Sequence, residues 1–96
     1  MFVVLLTYAQ PLTAVDAQLA AHREYLQRQY AAGVFLLSGP KQPRDGGVIL
    51  ARAASVDALR AILAEDPFAV HGVATYEVLQ FMPTMSAQGL QSLLAG

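Results

Sequence analysis

The chain has 96 residues, of which 55% are hydrophobic and only 14% charged, with a net charge of −1 and no cysteine. That length holds one domain, burying roughly 60–70% of the surface its unfolded chain exposes, and the low charge leaves apolar surface for a second copy of the chain to cover. The mixed charges form no basic stripe, which excludes the electrostatic footprint of a nucleic-acid binder, and the lack of cysteine excludes disulfides, iron–sulfur clusters and thiolate zinc sites.

Phe2 to Tyr8 is a β-branched and aromatic run that reads as a first strand, broken by Gln10-Pro11. Thr13 is placed to cap a helix running to about Ala32, with apolar positions at Leu12, Val15, Leu19, Leu26 and Tyr30 and a left-handed stop at Gly33. A second strand follows at Val34 to Leu37, closed by Ser38-Gly39-Pro40, and Lys41 to Gly47 is a loop rich in proline and glycine. Gly47 to Ala53 forms a third strand. Ser55 caps a second helix with Val56, Leu59 and Leu63 on its inner face, and Pro67 forbids its continuation. Gly72 precedes a fourth strand from Val73 to Met82, ended by Pro83. The tail from Ser86 to Gly96 suits a short helix with Leu90, Leu93 and Leu94 on one side, docked on a neighbouring surface.

This βαββαβ order predicts an α+β, ferredoxin-like fold: a four-stranded antiparallel sheet with two helices on one face. Two helices cover only one face, yet Val3-Val4-Leu5-Leu6, Phe35-Leu36-Leu37 and Val48-Ile49-Leu50 are apolar in both directions. A second sheet therefore packs on the open face, predicting a homodimer, or a higher oligomer, with an enclosed, barrel-like interface. No apolar run approaches the roughly 20 residues that cross a bilayer, and no basic leader precedes Phe2, so the expected setting is cytoplasmic without membrane partners.

The topology hosts many functions, so function has to come from a site. The third strand lacks the aromatics that an RNA-recognition sheet requires. No phosphate-cradling glycine motif, Gly-x-Ser-x-Gly or His-Glu-x-x-His occurs. His22 falls between Leu19 and Leu26 on the helical stripe and faces the sheet. There it is either a core histidine satisfied by a hydrogen bond or a base facing a cleft. Asp66 sits where Pro67 pushes the backbone out of the second helix, a helix C-terminus that repels negative charge. It is either a solvated carboxylate or the partner of His22 on the same sheet face. Ser38, Gly39 and Pro40 could line the same end, with Ser38 alternatively a plain turn residue. His71 either lines that mouth or sits in a loop, and Lys41 and Arg44 either meet an anionic substrate or are solvated. A zinc site from His22, His71 and Asp66 has no ligand-spacing motif, and no metal is expected.

These residues resemble a known family. His22-x-x-Tyr25-Leu26, Gly33, Ser38-Gly39-Pro40, Gly47 and Asp66-Pro67-Phe68 look like the pattern of the YciI-like (YCII-related) family, over about Met1 to Met82, with residues 83–96 as a C-terminal extension. The resemblance implies a dimeric α/β barrel with a histidine–aspartate pair at its cleft as the proposed active centre. One branch of the family acts as a dehydrochlorinase on chlorinated hydroxyquinols, and most members have no assigned reaction. The chain departs from the pattern at His71, where relatives often carry an apolar or charged residue, and in its longer tail.

The expected function is a cofactor-independent enzyme acting on a small cyclic or enolisable compound. His22 would transfer the proton, Asp66 would orient the imidazole, and Ser38, Gly39, Pro40 and His71 would bind the small-molecule substrate. The rival is a non-catalytic dimeric module that uses the same cleft to hold a metabolite or assembles with another protein.

Overall fold

A computed structural model describes residues 1–94. The four strands, β1 (Phe2–Tyr8), β2 (Phe35–Pro40), β3 (Gly46–Ala51) and β4 (Ala74–Gln80), form one sheet in the order β2-β3-β1-β4 with every neighbouring pair antiparallel. Along β1 burial alternates: Phe2, Val4 and Leu6 are buried while Val3 and Leu5 are only half-buried. Helices α2 (Leu19–Ala31) and α3 (Val56–Leu63) supply Tyr25, Leu59 and Leu63 to the same core. The fold is thus the expected α+β ferredoxin-like arrangement with one sheet face covered.

Several boundaries differ from the sequence reading. The first helix is broken: α1 (Leu12–Ala17) ends at Gln18, whose bridge-region backbone (φ −104, ψ 1) starts α2 anew. Pro11, not Thr13, occupies the N-cap of α1, and no side chain caps it. Gly33 takes φ +77 after α2, the left-handed exit that its lack of a Cβ allows. Ser38-Gly39-Pro40 is the end of β2 rather than a turn, because β2 is an edge strand and an edge tolerates a residue with no N–H. β3 stops at Ala51 and β4 at Gln80, each two residues early. Ser55 caps α3, its Oγ accepting the Ala58 N–H at 3.1 Å, but Val56 in the first turn points to solvent and leaves the inner face to Leu59 and Leu63.

α3 ends at Leu63, ahead of Pro67, and Pro67 instead begins a new four-residue helix, α4 (Pro67–Val70), in the first-turn position where its missing N–H costs nothing. The tail forms a single 3₁₀ turn, Gln91–Leu94, in place of a helix. Arg52 donates from Nη2 to the Ser92 carbonyl at 2.9 Å, Leu93 and Leu94 are half-buried, and Leu90 remains 50% exposed. Residues 95–96 of the expected tail helix lie outside the described residues. No helix among the described residues is long and apolar enough to cross a membrane.

Candidate functional site

Between α2 and the strands β1, β2 and β3 lies a cavity of about 410 Å³. Its walls are largely apolar, with Leu6, Leu19, Leu26, Ile49 and Phe68 contributing, and His22, Ser38, Gly39 and Pro40 bring polar atoms or backbone to it. Arg23, Asp16 and Arg44 stand at its exposed edge. A concave, mainly apolar space of this size with few polar groups is the usual form of a small-molecule site.

His22 reaches the cavity because α2 restarts after the Gln18 break, and the His22 N–H closes the first new turn on the Gln18 carbonyl at 2.9 Å. The side chain is 11% exposed. Its Nδ1 lies 2.8 Å from Oδ1 of Asp66, and its face stacks on Phe68 with centroids 3.8 Å apart and 4° between planes. With Nδ1–H donated to Asp66, Nε2 is the nitrogen left for an occupant of the cavity.

Asp66 is not a helix-exit carboxylate, as the sequence suggested. It is the N-cap of α4: Oδ1 accepts the Phe68 N–H at 3.0 Å, which makes its position favourable. The side chain is fully buried and takes a third hydrogen bond at Oδ2, donated by the Tyr76 hydroxyl at 2.7 Å. A buried carboxylate survives only when donors saturate it in this way. Asp-Pro-Phe therefore has one physical purpose: Asp66 accepts, Pro67 fixes the turn, and Phe68 supplies both an N–H and an aromatic face.

Ser38 is half-buried on the helix-covered face of β2, hydrogen-bonded through Oγ to the Tyr30 hydroxyl. Gly39 and Pro40 line the cavity beside it. Arg44 pairs with Asp16 at 2.6 Å, bridging the β2–β3 loop to α1, and its guanidinium sits 6.0 Å from the Tyr8 ring centre. Lys41 lies 3.5 Å from Thr7 Oγ1 and is not among the cavity's lining residues.

His71 is the residue the structure does not bring in. The turn of α4 carries it to that helix's C-terminal cap, where it is exposed and does not line the cavity. Among the described residues no three His, Asp or Glu side chains converge as metal ligands, so His22, Asp66 and His71 do not form the zinc alternative. The sequence reading missed Tyr76 and the stacking role of Phe68. Tyr76 carried one weak signal: strand alternation puts it on the same face as Leu6, its register partner on β1.

A model of the YCII-related domain matches residues 1–82. A search of curated proteins finds no match. Among solved structures, the chain is similar to 5-chloro-2-hydroxyhydroquinone dehydrochlorinase (TftG) from Burkholderia phenoliruptrix AC1100, in complex with 2,5-dihydroxybenzoquinone. The TM-score is 0.70 at 22% identity, covering 84% of this chain and 93% of that one, a likeness of fold.

Proposed function

The chain belongs to the YCII-related domain family, and from that premise we propose that it is a cofactor-independent enzyme moving a proton on a small cyclic or enolisable compound. The observation that carries this reading is the 2.8 Å contact between Nδ1 of His22, which lines a largely apolar cavity, and Oδ1 of Asp66, buried behind it. Imidazole is the side chain whose ordinary proton affinity suits transfer near neutral pH. Asp66 keeps the proton on Nδ1 and stabilises the imidazolium that forms, so Nε2 takes a proton from the substrate. In an elimination, the electrons of the broken C–H bond become the new double bond and the leaving group departs with its own pair. In an isomerisation, the imidazolium returns the proton to another carbon. Ser38, backed by Tyr30, donates to a substrate oxygen.

The substrate class follows from the space and its polar groups. A single oxygenated ring, of the kind bound in the structurally similar dehydrochlorinase, fits a cavity of about 410 Å³ with apolar walls and few polar groups. Homodimerisation through the uncovered sheet face belongs to the same proposal.

The test is a turnover screen of hydroxylated, halogenated and enolisable ring compounds with wild type, His22→Ala and Asp66→Asn. Turnover by wild type should fall by about 10²–10⁴-fold in His22→Ala, the usual contribution of a general base. Binding of the same compounds by all three proteins with turnover by none would replace the enzyme with a metabolite-binding module.

A further inference from the structure

Three donors from three elements meet on Asp66: His22 from α2, the Phe68 N–H from α4 and the Tyr76 hydroxyl from β4. His22 and Phe68 share Oδ1, while Oδ2 has Tyr76 as its donor. The carboxylate is wholly shielded from water, so these donors take the place of its hydration. Tyr76 does not line the cavity and reaches the site only through Asp66.

Each hydrogen bond to a buried carboxylate stabilises the anion and weakens its pull on other protons. How strongly Asp66 draws a proton onto His22 therefore depends on whether Tyr76 donates. Burial, and then the bond to Asp66, push the Tyr76 phenol above the usual tyrosine range, so it remains a donor at every working pH. Other groups also face the pair. Arg23 and Tyr25 come from α2, Tyr8 from β1, and Glu65 precedes Asp66; Asp16 and Arg44 pair with each other across the cavity edge. The Tyr25 hydroxyl is committed to the Ile62 carbonyl at 2.7 Å. Their field stays constant when Tyr76 alone is changed.

We propose that Tyr76 is a positioning residue for His22: its hydroxyl tethers Asp66 Oδ2, turns Oδ1 toward the imidazole and sets how strongly the carboxylate holds the imidazole proton. Its importance for turnover rests on the proton-transfer role proposed for His22, whereas its control of the pair's proton affinity does not. Without the phenol, Asp66 keeps more charge density and His22 takes up its proton at higher pH. Asp66→Asn removes the charge and acts in the opposite direction.

The experiment is an NMR titration of the two histidines in the intact wild type, Tyr76→Phe and Asp66→Asn, with exposed His71 as internal reference. The His22 midpoint should rise by about 0.5–1 pH unit in Tyr76→Phe and fall in Asp66→Asn, as expected for one charge-assisted hydrogen bond passed on in part. His71 should not move. A second variant carries 3-fluorotyrosine at position 76; it preserves the shape, strengthens the donor and should lower the His22 midpoint, and it decides the matter if Tyr76→Phe does not fold. An unmoved His22 midpoint, or shifts of the opposite sign, would overturn the proposal even if stability fell, leaving Tyr76 a structural role alone. Shifts as expected in a protein that turns over no substrate would sink the enzymatic reading and keep the role of Tyr76.

Discussion

The His22 imidazole lies flat on the Phe68 ring, 3.8 Å between centroids, while the Phe68 N–H donates to the same Asp66 oxygen that faces His22. One residue thus supplies the wall that fixes the imidazole plane and part of the cradle that fixes its partner. Phe68→Leu retains the N–H and most of the buried volume but removes the flat face. Thermal unfolding should show a loss of about 1–2 kcal/mol, less than a full truncation to alanine. Activity on any substrate found should fall further than that loss explains, because the imidazole gains freedom to rotate away from Asp66. An undisturbed His22 ring signal in Phe68→Leu would show that packing elsewhere holds the imidazole.

Two tyrosines should set the alkaline limit of stability. Burial, then the charge of Asp66, raise Tyr25 above the usual tyrosine range; burial, then the hydrogen bond to Asp66, raise Tyr76. Both are raised in the folded state, so their contribution is complete below the unfolded value near 10 and is lost as pH climbs above it. There the unfolded chain releases protons that the folded one keeps, at a slope of about 1.4 kcal/mol per pH unit for each group. Denaturant unfolding between pH 9 and 11 should trace this loss, and Tyr76→Phe or Tyr25→Phe should each remove one share of the slope. Equal slopes in all three proteins would mean that neither phenol is held neutral by the fold.

The parts of this fold legible in the sequence are those governed by local chemistry. Gly33 marks a left-handed exit, Ser55 a cap and the β-branched, aromatic run of Phe2 to Tyr8 a strand, because each depends on a few neighbouring residues. The break at Gln18 carries no glycine or proline, so no local pattern announces it. Ser38-Gly39-Pro40 has the composition of a turn, and only the edge position of β2 lets it remain extended. Helical periodicity put His22 on the sheet side and Pro67 released Asp66 there. The periodicity could not tell that Asp66 caps a new helix, nor that the same helix carries His71 out to its exposed end. Tyr76 depends on a pairing across the sheet, which no window of the chain contains.

Glycine is required at one strand position for close approach. A Cβ on Gly46 would land on the Leu6 carbonyl of the neighbouring strand, backbone that cannot move without opening the β1–β3 ladder. Gly46→Ala should cost more than about 3 kcal/mol, in the range of severe overpacking. Gly33→Ala meets no atom within 4 Å and only the strain of φ +77, so about 1 kcal/mol is expected. Paired urea curves give both values, and equal costs would show that β3 shifts to accommodate the methyl group.

The uncovered sheet face predicts the assembly. Register places Leu37, Leu50, Val3 and Leu79 in one row across all four strands, with Val48 and Leu5 in the next. At the two edges Leu37 and Leu79 are each 59% exposed, a continuous apolar surface that a lone small protein rarely leaves in water. Sedimentation at micromolar concentration should give about twice the 10.3 kDa chain mass. Leu5→Glu puts a charge in the middle of this face, beside Glu77, its register partner on β4, and should dissociate the dimer. Ile49→Glu is a different experiment, because Ile49 is 2% exposed on the helix-covered face and its loss should unfold the chain. If Leu5→Glu also unfolds, as happens when a protomer is unstable alone, Leu37→Glu at the edge separates the two effects by weakening association while sparing the core. A wild-type chain that sediments as a folded monomer would mean that this apolar row is tolerated in water, and the homodimer would fall.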